Sequence, residues 1–267
     1  MVNILFCGND KVFDGMLTCA LSILKRSDSR EPYTFYIFTM DVSHIKESYL
    51  PVSERQMAFF EQVIRAYNPE NRAISVDVTD LYLREFGGSP NEDAYCSPYT
   101  LIRLLADQAE GLPDKILYLD VDVMFNRDIH LLYDMDVEGY EYAAARDHYG
   151  KYLIRPNYIN AGVLLFNMKE MRQTGILAKA RDLIREKKLV FADQSALIRS
   201  TTRKRCFRRS STIRSFSTST PSFVTFPSAC SGCPIPTPIT SSSGGSVMYT
   251  RSFITIALTI YCTNISI

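Results

Sequence analysis

Apolar runs alternate with amphipathic stretches through the first 205 positions. Positions 2–7, Val2-Asn-Ile-Leu-Phe-Cys7, form a short apolar run that predicts a strand. A helical spacing of apolar residues follows over 14–25, and a strand with aromatics on alternate positions over 33–40. Ser53 and Gln56 form a capping box in front of a helix over 57–67. Positions 73–78 alternate as a strand. Positions 97–107 predict a helix with Pro98 in its first turn. The run 115–119 predicts a strand apolar on both faces, as a central parallel strand is. Further strands are predicted at 140–145 and 158–167, an amphipathic helix at 175–187 and a short helical pattern at 195–200. Strands alternating with helices predict an α/β fold, a mixed, mainly parallel sheet with helices on both faces.

The pattern stops after 205. Ser and Thr supply 24 of the 62 residues from 206 to 267, and Asp, Glu and Lys are absent there. Such a tract has no helical periodicity and little to bury, so 1–205 reads as the folded domain and 206–267 as a poorly ordered tail. A sharper reading is that the tail is translated out of frame. Back-translated from Cys206 with suitable synonymous codons and read two bases later, it permits a string with charges, aromatics and tryptophan. The chain itself has no tryptophan.

Composition changes this picture little. A hydrophobic fraction of 46% supports a sizeable core, and a formal net charge of +1 argues neither for nor against nucleic acid. No basic patch with interleaved aromatics appears before position 200, so no nucleic-acid partner is expected. The seven cysteines are scattered, and Cys230-x-x-Cys233 lacks a second pair or histidine partner, so they read as reduced thiols of a cytoplasmic protein rather than a zinc site. The start of the chain reads as a strand rather than a signal peptide. The late apolar stretch 253–262 is too short to span a bilayer.

The chemistry concentrates where the run Lys115-Ile-Leu-Tyr-Leu-Asp-Val-Asp-Val-Met-Phe125 ends in two acids, Asp120 and Asp122. Hard divalent cations take oxygen ligands. In an open α/β sheet, ligands bind at the carboxyl ends of the strands. Other polar segments can converge on that edge. Asn9 and Asp10 end the first strand; Asn160-Ala161-Gly162 opens a later one with a small pair that permits close approach; Asp193 and Gln194 precede a helical pattern; Arg103 lies just ahead of the acid-pair strand. A metal held by Asp120 and Asp122 would neutralise a diphosphate and Arg103 would add positive charge. The plain readings are a loop-capping acid for Asp120 and Asp122, a helix-neighbour pair for Arg103, a turn for Asp10, a strand start for Asn160 and a helix cap for Asp193. His130 and His148 read as surface or loop residues, and Tyr149 and Tyr152 as packing or an acceptor platform.

Six segments in order carry a resemblance: NILFCGND (3–10), ALSILKRS (20–27), YTLIRLL (99–105), KILYLDVDVMFNRDIHLLYDMD (115–136), YINAGVLLFNMKEMR (158–172) and FADQSAL (191–197). Together they resemble glycosyltransferase family 8, the retaining nucleotide-sugar transferases of the GT-A fold. The resemblance implies a Rossmann-like domain that moves a hexose from a UDP-sugar to a glycan, lipid or protein acceptor, with Mn2+ or Mg2+. It implies Asp120 and Asp122 as metal ligands, with Val121 between them at the nucleotide. It implies Asp10 at the uracil, Asn9, Arg103 and Ala161 at the donor, Asn160 and Asp193 at the sugar, and Gln194 at the anomeric carbon opposite the leaving group, with Asp193 and Gln194 as the catalytic residues. Phe13 stands where the family often has tyrosine. The family also supplies a third metal ligand, a histidine, from its C-terminal segment; this chain has none after His148. A weakened or inactive nucleotide-sugar-binding remnant is therefore a second reading. A haloacid-dehalogenase-type phosphatase, which also places D-x-D after an apolar strand, is a third. The donor sugar, the acceptor, the oligomeric state and a peripheral contact with the inner face of the membrane stay open.

Overall fold

The computed structural model describes residues 1–27, 30–92, 97–147, 152, 156, 158–189, 191–206 and the backbone of 223–225. His148, Tyr149, Cys96, Cys230, Cys233, Cys262 and the apolar stretch 253–262 lie outside the described residues.

Seven strands build one sheet: β1 (Val2–Cys7), β2 (Tyr33–Thr39), β3 (Arg72–Asp77), β4 (Lys115–Leu119), β6 (Tyr142–Arg146), β7 (Ile159–Asn167) and β8 (Lys204–Cys206), with β5 (Val123–Phe125) outside it. The order across the sheet is β3-β2-β1-β4-β7-β6-β8. Pairing is parallel from β3 through β4, and β6 with β8 is parallel too. β7 is antiparallel to both β4 and β6, so among these seven strands it alone runs against the rest. The expected mixed, mainly parallel sheet is the one observed. Phe223–Thr225, within the stretch expected to be irregular, pairs antiparallel with β5.

β4 shows why the apolar run had to be central. Ile116 and Tyr118 belong to one core and Leu117 and Leu119 to the other, on the opposite face of the sheet. The first core is closed by helices Thr79–Phe86, Ile176–Glu186 and Ala192–Ser200, the second by helices Phe13–Leu24 and Glu54–Arg65. A strand with both faces covered needs no polar alternation.

Two predicted helices differ from the structure in informative ways. The capping box of Ser53 and Gln56 is present, but the helix begins immediately after Ser53, at Glu54, ahead of the predicted 57. The stretch 97–107 is not an α-helix. It is two 3-10 turns, Pro98–Thr100 and Ile102–Leu105. The Leu104 N–H turns to Leu101 O, three residues back, while Arg103 Nε donates to Thr100 O at 3.0 Å. Leu101 through Ala106 are all buried, so the segment has no solvent face to impose a 3.6-residue period. Gly175, predicted to open a helix, instead sits in the left-handed region at φ 63° between helices Met168–Thr174 and Ile176–Glu186.

Candidate active site at the carboxyl edge of the sheet

Asp120 is the first residue beyond β4, and its backbone N–H donates to Gly162 O at 2.8 Å. β7 supplies that contact because it runs backwards: its beginning, not its end, lies at the carboxyl edge of β4. Asn160, Ala161 and Gly162 are thereby delivered to the acid pair. Gly162 leaves room there, since a Cβ would come within 2.8 Å of Asp120 Oδ2 and 3.1 Å of Asn160 Oδ1 and would push those side chains aside. Asn160 Oδ1 accepts the Gly162 N–H at 2.9 Å, which fixes its side chain over the same turn.

Arg103 links the segments. It is buried, its side chain only 4% exposed. Its Nη1 donates to Ala161 O at 2.6 Å and its Nη2 to Asp120 Oδ1 at 3.2 Å. Its Nε lies 3.3 Å from Asp193 Oδ2. Asp193 is in the first turn of helix Ala192–Ser200, where a carboxylate also suits the helix dipole. It does not cap that helix. The cap position belongs to Phe191, an exposed residue with φ 52°, a backbone conformation uncommon for a bulky side chain. Gln194 Oε1, next in the turn, accepts the Ala161 N–H at 3.3 Å. Four predicted residues, Arg103, Asp120, Ala161 and Asp193, thus touch through one guanidinium, with Gln194 bonded to Ala161.

Sequence reasoning did not find Tyr118. Its hydroxyl donates to Asp120 Oδ1 at 2.5 Å, and the Arg103 guanidinium carbon lies 4.1 Å from its ring centre. The signal was present: Tyr118 stands two positions before Asp120, on the same face, as the one polar side chain among the buried positions 116–119. Gly15 was missed as well. A Cβ on it would meet Val121 O at 2.8 Å, so helix Phe13–Leu24 rests on the backbone between the two acids.

Asn9 and Asp10 follow the end of β1, the parallel neighbour of β4, where Leu5 is in register with Tyr118. They therefore share the edge with Asp120. The Asp10 backbone is held by Leu50 O at 3.3 Å and by Gln56 Nε2 at 3.0 Å. Its Oδ1 is buried and has no hydrogen-bond partner among the described residues. Buried carboxylate oxygens are ordinarily paired. Asn9 is buried and hydrogen-bonds Tyr99, whose hydroxyl donates to Met40 O at 2.9 Å. Phe13 is a core residue packed edge-on against Phe60. His130 bridges Glu31 and Asp134 at the surface, as its plain reading had it.

The electrostatics are uneven. Among the described residues Arg103 pairs with Asp120 and Asp193, and Asp122 stands close enough to feel its charge without bonding it. The Asp122 carboxyl is pushed up to about 6, first by burial and then by the charge of Asp120. Burial also raises Asp193, with Arg103 pulling the other way and Asp120 adding to the rise. A surplus of carboxylates that share a guanidinium is relieved by protonation or by a bound cation. Among the described residues no group of three or more His, Cys, Asp or Glu side chains could hold a metal. Asp120 and Asp122 are hard oxygen donors, so the pair fits a divalent ion whose remaining ligands come from a bound molecule and water.

Comparison with known proteins follows the same lines. The model of Glycosyl transferase family 8 matches residues 3–204. Glycosyltransferase GlyA of Streptococcus pneumoniae serotype 4 is 36% identical over 86 residues, 32% of this chain and 12% of that protein. A putative glycosyltransferase of Haemophilus influenzae is 24% identical over 189 residues, 67% of this chain and 52% of that protein. The chain thus spans about half or less of the length of these curated relatives. Two structures of LgtC, each 20% identical over 78% of this chain, share the fold. An active-site mutant gives a TM-score of 0.62 with 73% of its chain covered. The galactosyltransferase in complex with donor and acceptor sugar analogs gives 0.60 with 74% covered.

Proposed function

The chain belongs to glycosyl transferase family 8, and from that premise we propose that it moves a hexose from a UDP-sugar to a glycan, lipid or protein acceptor, with retention of configuration and with Mn2+ or Mg2+ held by Asp120 and Asp122. The observation that carries this reading is the charge imbalance among the described residues around Asp120: the carboxylates of Asp120, Asp122 and Asp193 against the guanidinium of Arg103, with Asp122 pushed up to about 6. The family match takes the place of the phosphatase reading.

The roles follow from where each group sits. Asp10 Oδ1, buried and without a partner among the described residues, accepts an N–H of the uracil. Asn9 sits beside it at the base, and Val121 presents its backbone to the nucleotide between the two acids. Arg103, with all three of its nitrogens engaged, holds Asp120 and Asp193 in place and keeps the edge from repelling a diphosphate. Asn160, Ala161 and Asp193 face the sugar. A bound divalent cation would neutralise the diphosphate and stabilise it as a leaving group. Gln194 is an amide and a poor nucleophile, so the acceptor hydroxyl attacks on the face the diphosphate leaves. The bond from the anomeric carbon to the diphosphate oxygen breaks, the bond to the acceptor oxygen forms, and the departing diphosphate takes the acceptor proton. Among the described residues no helix is long and apolar enough to cross a membrane. We place the reaction in the cytoplasm, at the inner face of the membrane where the acceptor is lipid-linked.

A second reading is favoured by one observation. The family match ends at 204, and the composition changes at 206. An out-of-frame tail would remove the histidine that the resemblance implies, leaving a protein that binds the donor weakly and turns it over slowly or not at all. Release of UDP from UDP-glucose and UDP-galactose in Mn2+ tests the main reading. Binding of UDP without turnover, with turnover restored by a frame-corrected chain, identifies the remnant. No UDP binding by either chain overturns both.

A further inference from the structure

Asp120 is gripped on one oxygen only. Its Oδ1 accepts the Tyr118 hydroxyl at 2.5 Å and Arg103 Nη2 at 3.2 Å. The two donors brace each other, with the guanidinium 4.1 Å from the tyrosine ring centre. Oδ2 accepts no hydrogen bond among the described residues. It faces Gly162, where a Cβ would come within 2.8 Å of it. The rotation of this carboxylate is therefore fixed by the side-chain donors on Oδ1, and the glycine leaves the space that Oδ2 occupies.

Packing alone does not call for a hydroxyl at 118. The ring stacks on Phe166 with centroids 6.2 Å apart, a contact that phenylalanine would make equally well. What the hydroxyl adds is its bond to Asp120.

We propose that Tyr118 is a positioning residue that occupies Asp120 Oδ1 and so leaves Oδ2 as the single oxygen of that side chain offered to a cation. This rests on the reading of Asp120 as a metal ligand and deepens it into a statement about which ion the site takes. A carboxylate restricted to one oxygen suits a small six-coordinate ion such as Mn2+ or Mg2+. Ca2+ takes six to eight oxygens and often both of a carboxylate's, so it is disfavoured. Outer contacts of this kind commonly govern metal affinity by about 10–100-fold.

The test is calorimetric titration of the full chain with Mn2+ and, separately, Ca2+, each with UDP present. The wild type binds Mn2+ at least about tenfold more tightly than Ca2+. Tyr118→Phe keeps the ring and loses the hydroxyl. It weakens Mn2+ by about tenfold while Ca2+ falls less, so the ratio between them shrinks. Wild-type affinities for both ions in Tyr118→Phe, or a parallel loss of both, overturn the role of Tyr118 and leave the metal reading standing. Wild-type protein that binds Ca2+ as tightly as Mn2+ overturns it even where the variant fails to fold. Wild-type protein that binds neither ion overturns this inference and the metal reading together.

Discussion

Two arginines are buried almost equally, Arg103 with 4% and Arg181 with 5% of the side chain exposed. Each donates to a backbone carbonyl at 2.6 Å, Arg103 to Ala161 O and Arg181 to Leu104 O. Each also faces two carboxylates, Asp120 and Asp193 in one case, Asp107 and Glu85 in the other. The difference lies in what surrounds them. Glu85 is also met by Arg84 and Arg185, and Arg185 pairs with Asp182. Three arginines there meet three acids, and the Glu85 carboxyl is held below its usual value: burial raises it, but Gln108 and the arginines outweigh that. Around Arg103, among the described residues, two acids pair with the one arginine, a third stands near it, and two of the three are pushed up. A buried arginine by itself does not mark a site. An imbalance around it does, because a structural cluster closes its own charge and a binding site leaves charge for a ligand to close.

The sharpest way to break this comparison is to neutralise the surplus. Asp122→Asn should lower UDP-sugar turnover by about 10³-fold, the effect of removing several kcal/mol of charge stabilisation at 1.36 kcal/mol per decade. Its metal-free melting temperature should not fall, because folding already disfavours the charged form of Asp122. A variant that melts much lower would make Asp122 structural. Arg181→Met should do the reverse. Breaking a buried pair costs about 3 kcal/mol, or a melting decrease on the order of 10 °C for a domain of this size. Affinity of the folded protein for UDP with Mn2+ should stay as it was. Loss of binding without loss of stability would erase the distinction between the two clusters.

Smaller effects sharpen it. Asp10→Ala should weaken UDP binding by about tenfold, since a hydrogen bond to a charged group contributes roughly 1.5 kcal/mol or more, and calorimetry reads it directly. An unchanged affinity would leave the orphaned Oδ1 unexplained. The smallest effect belongs to Glu141, a buried acid that balances its charge with donors. It accepts from the N–H groups of Thr202 and Arg203 at 3.0 and 3.1 Å and from the Thr201 and Thr202 hydroxyls, fixing the segment that leads into β8. Burial raises its carboxyl, but these donors lower it further, to a value below the usual one. The stability it contributes is therefore complete above about pH 4.3 and is lost as pH falls through the lowered value. Glu141→Gln should flatten that acid limb of the melting curve, and an unaltered limb would remove Glu141 from it.

Much of the site's inventory was legible in the sequence and its wiring was not. β1 and β4 have the bounds their apolar runs predicted, because a strand covered on both faces leaves an unbroken signature. Asp120, Asp122, Arg103 and Asp193 were visible as polar residues breaking apolar surroundings. The direction of β7 was not visible. Alternation encodes which face a side chain takes, not which way the strand runs, and only the antiparallel β7 brings Asn160–Gly162 to Asp120. The 3-10 turn at Arg103 was hidden because a fully buried segment carries no period. Helix Thr79–Phe86 was missed at eight residues, too short to declare itself beyond Tyr82 and Phe86 four apart. Tyr118 read as one more core aromatic, since a pattern of apolar positions is blind to a hydroxyl.

The central claim is that the unbalanced acids at the end of β4 bind a nucleotide diphosphate through a divalent cation. Titrating UDP into the full chain with and without Mn2+ tests it most directly. UDP should bind at least about tenfold more tightly when Mn2+ is present, and Asp122→Asn should abolish that gain. Equal UDP affinity with and without Mn2+, or a gain that survives in Asp122→Asn, would contradict it.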